Sequence, residues 1–229
     1  MSPRRVPVSR RDRPAKPLLS RESVVAAALR VMRQDGLERV TMRRLATELD
    51  TGPASLYVYV ANMAELHGAL LDELLAGLKL PGKTRPAQAR AVLVDLLCDY
   101  TALLMEYPSL ARSVLTLWPS GPNYLRLIDG ILGLLLTAGF GHRQAAWGVD
   151  VLLQHATASA AEHGTRAESA EADGESYLLV TAIEEAPAAD YPNIGLLRDE
   201  MFSGTGSERQ RWQFAALLEG IATADEAGH

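Results

Sequence analysis

The stretch from Thr41 to Leu66, TMRRLATELDTGPASLYVYVANMAEL, leaves this chain the fewest choices of fold. Thr41 can cap a helix, because its hydroxyl accepts a free N–H of the opening turn. Leu45, Ala46 and Leu49 then share one face at helical spacing. Asp50-Thr51-Gly52 breaks the pattern, and Pro53 suits the start of a new helix, where its missing N–H costs nothing. That second helix, predicted at 53–59, has Leu56 and Val60 as its apolar stripe, leaving Ser55, Tyr57, Val58 and Tyr59 outside it. A third helix opens at Asn62. Two short helices held by a tight turn form a helix-turn-helix, whose second helix can offer its outer side chains to a DNA major groove. Gly52 and Ala54 are small enough for close backbone approach. Tyrosine hydroxyls can donate to phosphates and their rings can meet thymine methyls. The segment 53–59 has no Asn, Gln or Arg for bidentate base reading, so modest direct readout is expected.

The rest of the chain constrains function by what it lacks. Among 229 residues strand signals are nearly absent, while Ala and Leu recur at helical spacing, which predicts an all-α fold. Cys98 is the only cysteine, so no intrachain disulfide or cysteine zinc site forms, in keeping with a reducing, cytoplasmic setting. The apolar run 131–140 contains two glycines and is too short to span a bilayer, so no membrane role is expected. Charge is unevenly placed. Residues 1–50 carry 12 Lys/Arg against 6 Asp/Glu, whereas residues 51–229 carry 11 against 22. A basic front on an acidic body, beside a helix-turn-helix, points to a nucleic-acid contact at one end.

The segment also resembles the DNA-binding domain of the tetracycline-repressor family. The resemblance rests on Thr41, Arg43, Leu45-Ala46, the Asp50-Thr51 turn and Leu56-Tyr57-Val58-Tyr59-Val60, with Asn62 and Leu66 at the start of the next helix. Asp50 stands where that family usually has Gly; Asp tolerates a left-handed backbone better than most residues. The second half is similar too, through Tyr107-Pro108, the 118–123 loop, Ala138-Gly139-Phe140 and Trp212-x-Phe214. The resemblance implies DNA contacts from Thr41, Arg43 and Met63, and Arg44 is a further phosphate candidate. Met63 replaces the family's usual Lys and brings no charge. The expected DNA-facing set is thus Thr41, Arg43, Arg44, Gly52, Pro53, Ala54, Ser55, Tyr57, Val58, Tyr59 and Met63. A homodimer is implied as well, through a four-helix bundle of helices at about 142–163 and 207–222, on a pseudo-palindromic operator in double-stranded DNA.

The chain divides into a flexible basic arm at 1–19, a helix-turn-helix unit at 20–66 and a helical ligand-binding and dimerisation unit at 67–229. Predicted helices lie at about 21–35, 62–80, 86–106, 124–137, 144–163, 177–185, 194–201 and 207–222, with a polar loop at 163–174. The resemblance implies a transcriptional regulator, a repressor released by a small-molecule effector. Tyr100, Met105, Trp118, Tyr124, Trp147, Leu152 and His155 are the candidate pocket residues. The position of the tetracycline repressor's metal-binding histidine falls near Val114, so neither tetracycline nor a metal or other cofactor is expected. Two other classes compete: a helical enzyme and a protein-binding adaptor. An enzyme needs convergent chemistry. His142, His155 and His163 are spaced by 13 and 8, which is not a helical metal pair, and Gly204-Thr205-Gly206 lacks the Lys of a phosphate loop.

Overall fold

The computed structural model describes residues 19–168 and 172–224. They form eleven α-helices and one short 3-10 turn, with no strand among the described residues. The expected basic arm lies, apart from Leu19, outside them. In the first unit, α1 spans Arg21–Asp35, α2 Met42–Glu48, α3 Pro53–Leu56 and α4 Met63–Leu75, with the 3-10 turn at Leu37–Arg39. The second unit holds α5 (Pro86–Met105), α6 (Pro108–Val114), α7 (Pro122–Thr137) and α8 (His142–Glu168). It closes with α9 (Ala172–Glu185), α10 (Pro192–Met201) and α11 (Gly206–Thr223).

Local chemistry explains most boundaries. Ser20 caps α1 in a reciprocal pair with Ser23, and Gly36 ends it at φ 87°. Thr41 Oγ1 accepts from the Arg44 N–H at 3.2 Å, and Asn62 Oδ1 accepts from Glu65 at 2.8 Å to cap α4. Pro occupies the first turn of α3, α5, α6, α7 and α10. Asp50 has φ 49°, the turn's left-handed residue, and the Thr51 N–H donates back to Ala46 O at 2.8 Å.

Four predicted bounds differ; α9 is one, opening at Ala172 rather than 177, so the polar loop expected at 163–174 is largely helical. The second helix of the motif is helical only over 53–56; residues 57–59 continue as a turn, with the Tyr59 and Val60 N–H groups both donating to Leu56 O. α4 stops at Leu75 rather than near 80, tightening through bonds from Gly77 to Leu74 O and from Leu78 to Leu75 O. α8 does not end at His163. Gly164 reads as a stop in the sequence, yet it lies within the helix, and a Cβ there would meet the Pro108 ring at 2.7 Å. It is a close-packing glycine between α8 and α6.

The core is continuous from α1 to α11. Leu45, Leu56, Leu66 and Leu70 fill the first unit; Leu93, Leu97, Leu104, Leu110 and Ile131 fill the second. α5 lies at the centre, packed by α7, α8 and α11, while α6 packs on α8. α9 and α10 pack on each other and leave Leu178, Leu179, Leu196 and Leu197 exposed.

Candidate DNA interface and ligand cavity

Burial of Leu56 and Val60 fixes which way α3 and its following turn face. Tyr57 and Val58 consequently point outward, 54% and 81% exposed. Gly52, Pro53, Ala54 and Ser55 are exposed beside them, and a Cβ at Gly52 would find open space. Thr41 and Arg43 are exposed at the start of α2. Tyr59 and Met63 are different. Both are half-buried against the core, so packing claims part of each side chain. Arg44 is exposed but paired with Glu48 at 2.9 Å and Asp35 at 3.4 Å. Exposed pairs of this kind contribute at most about 1 kcal/mol, so a phosphate can compete for the guanidinium.

Three ties join the 3-10 turn and α4 to α6 and α7. Glu38 of the 3-10 turn accepts from Ser109 of α6, which holds the Glu38 carboxyl below the usual carboxylate range. On α4, His67 Nδ1 meets Ser113 Oγ at 2.6 Å. One turn and a half further along, Asp72 Oδ1 accepts from the backbone N–H of both Asn123 and Tyr124 at 2.9 Å, while the Asn123 amide donates to Asp72 Oδ2 and to Asp72 O at 3.1 Å. A carboxylate on α4 thus caps the positive end of α7. Gly121 makes room for it: a Cβ there would lie 2.2 Å from Asp72 Cγ.

Burial holds the His67 imidazole below its ordinary value of 6.5. The unfolded chain therefore takes up a proton that the folded protein resists, and stability falls as pH drops through about 6.5. His67→Gln is expected to flatten the fall in melting temperature between pH 7.5 and 5.5. An unchanged slope in calorimetry would remove His67 as its source.

Behind these ties a cavity of about 430 Å³ opens between α6, α7 and α8. Val114, Leu117, Ile128, Val149 and Leu153 give it apolar walls, and Asp150, Gln154 and Thr157 give one polar face. Of the predicted pocket residues, Trp118 and Tyr124 line it; Trp118 is 95% exposed at the rim. Tyr100 lies behind the wall, its hydroxyl 3.0 Å from Thr157 Oγ1. Burial raises the phenol pKa of Tyr100 and of Tyr124, and the Asp150 carboxylate pushes Tyr124 further the same way.

The remaining four are not brought to this cavity. Leu152 is fully buried in the core, and Met105 packs half-buried against it. His155 stands edge-on to Phe214 of α11, ring centroids 5.4 Å apart, with Nε2 buried and unpaired. Trp147 faces outward, 69% exposed, under the Arg143 guanidinium. Trp147, Leu152 and His155 belong to α8, a helix that lines this cavity, but not to the stripe that lines it. Positions 149, 153 and 157, with 150 and 154 beside them, recur at helical spacing, but that pattern does not say which stripe faces α6. Among the described residues no His/Cys/Asp/Glu group could hold a metal, and no helix is long and apolar enough to cross a membrane.

Comparison with known proteins agrees with both halves. Residues 24–70 match the model for bacterial regulatory proteins of the tetR family, and residues 90–224 match the tetracyclin repressor-like C-terminal domain. The fold is similar to that of the transcription regulator SCO7704 from Streptomyces coelicolor, at 48% identity and TM-score 0.77 over 93% of this chain and 100% of that one. It is similar as well to ActR of Streptomyces coelicolor solved with actinorhodin, at 29% identity and TM-score 0.80 over 93% of this chain and 100% of that one. A transcriptional regulator of the helix-turn-helix type from Saccharopolyspora erythraea is 29% identical over 55% of this chain and 53% of its own length. The chain spans about half the length of such curated relatives. With family matches covering the head and most of the body, the chain belongs to the tetracycline-repressor family of transcriptional regulators.

Proposed function

We propose that the protein is a dimeric DNA-binding repressor of the cytoplasm, acting at a pseudo-palindromic operator and released by a small molecule held in the 430 Å³ cavity. The observation that carries this reading is the outward display of Tyr57 and Val58 on a helix pinned from behind by Leu56. Thr41, Arg43 and Arg44 flank that surface and would take the phosphates; Gly52, Pro53, Ala54, Ser55, Tyr57, Val58 and part of Tyr59 would meet the groove, with Met63 at its margin. Residues 20–66 would form the reading head and residues 67–229 the sensing and pairing body. The reading as an enzyme or as an adaptor is set aside by the family.

Pairing is proposed through the outer faces of α8 and α11, where Trp147, Val151 and Trp212 are exposed. Two-fold symmetry would then set two heads about 34 Å apart, one turn of duplex. Leu218 is buried within its own subunit and is not part of that face. Val151→Arg is expected to shift the particle to half its mass in light scattering with little change in helix content. A dimer that survives the substitution would place the interface elsewhere.

Binding of one ligand can release DNA only through unequal affinity for two head positions. Here the cavity shares α7 with the Asp72 cap and α6 with the His67 contact. Movement of either wall therefore acts on α4. The test is footprinting of the protein on genomic fragments, followed by salt titration. A protected site of two-fold symmetry whose affinity falls steeply with salt supports the regulator. Absence of any site-specific protection overturns it.

A further inference from the structure

The cavity's charge and rim specify what it accepts. Asp150 is the single charged residue among those lining it; no Lys, Arg or His reaches it. No cation among the described residues pairs with Asp150. Asp150 thus stands exposed at the mouth with no cation of the described residues on it. Two aromatic rings stand with it, Trp118 at the rim and Tyr124 within. Indole and phenol faces attract cations and stack on flat rings. Val114, Leu117 and Ile128 give the cavity apolar side chains, with Thr116 the one hydroxyl among residues 114–119.

We propose that the effector site selects a planar aromatic cation, an amine-bearing polycycle whose rings lie between Trp118 and Ile128 and whose charge faces Asp150. This rests on the reading of the cavity as the effector site and adds the chemical class. A ligand carrying a carboxylate is disfavoured, because its charge would face Asp150 with no basic partner. The raised pKa of Tyr124, owed first to burial and then to the same carboxylate, is consistent with this. The volume, about 430 Å³, falls in the range that encloses a drug-sized molecule.

The experiment uses the full chain without DNA and two tricyclic fluorophores of matched shape, 9-aminoacridine as the cation and anthracene-9-carboxylate as the anion. Fluorescence anisotropy is expected to show the cation binding at least fivefold tighter. Asp150→Asn should bring the ratio close to one, whereas Asp129→Asn, an exposed acid on α7 that does not line the cavity, should leave it unchanged. Trp118→Ala should weaken both dyes. Equal binding of the two dyes, binding of neither, or a preference that survives Asp150→Asn overturns the proposal. Footprinting of the unsubstituted chain on the operator separates the two readings. Operator protection by a chain that shows no dye preference ends the ligand class alone, and absence of protection ends the regulator.

Discussion

Replacing Asp72 with alanine is expected to destabilise the protein by about 2 kcal/mol, because two backbone N–H groups at the start of α7 lose their acceptor at once. For a chain of this size that corresponds to a fall of about 4–8 °C in melting temperature. The effect reaches beyond stability. Asp72 sits on α4, which carries the head, and its partners sit on α7, which walls the cavity. With the cap gone, occupancy of the cavity should change operator affinity less than in the parent chain. Asp72→Asn separates the contributions: it keeps an acceptor oxygen but loses charge, so it should recover part of the stability. Gly121→Ala attacks the same joint from the other side, pressing a methyl onto Asp72. An unaltered melting temperature in Asp72→Ala, measured by calorimetry, would show that these bonds do not hold the two helices together.

Tyr57→Ala should leave folding intact and weaken operator binding by about tenfold to a hundredfold, the range for loss of one or two good groove contacts. The separation is possible because Tyr57 is half exposed while its neighbour Leu56 carries the packing. Tyr59→Ala is the informative contrast. Its ring is half-buried against the core, so that variant should lose both stability and affinity. If Tyr57→Ala melts early, the tyrosine is holding the head together rather than reading DNA. If it melts normally and binds the operator undiminished in gel-shift titration, the groove contact is absent.

How far the chain was legible follows from where its information is local. Caps at Ser20, Thr41 and Asn62, the prolines that open helices and the left-handed Asp50 all act within one turn, so a reader of the sequence finds them. Gly164 misleads because its reason for being glycine lies far along the chain, at Pro108. The cavity was harder for the same cause. Which stripe of α8 becomes lining is decided by the approach of α6 and α7, and Asp150 gives no sign of this from its neighbours in sequence. Trp147 and His155 are aromatic and tempting, yet one faces outward and the other is absorbed by Phe214. Met63 shows a milder version: the substitution is visible in the sequence, its half-burial is not.

The leucines left bare on α9 and α10 bear on how the protein behaves in solution. The pairing face proposed on α8 and α11 does not cover them, so a dimer formed there would still carry an apolar hairpin outside it. Excluded salts such as sulfate, which strengthen apolar burial, would then draw such dimers together.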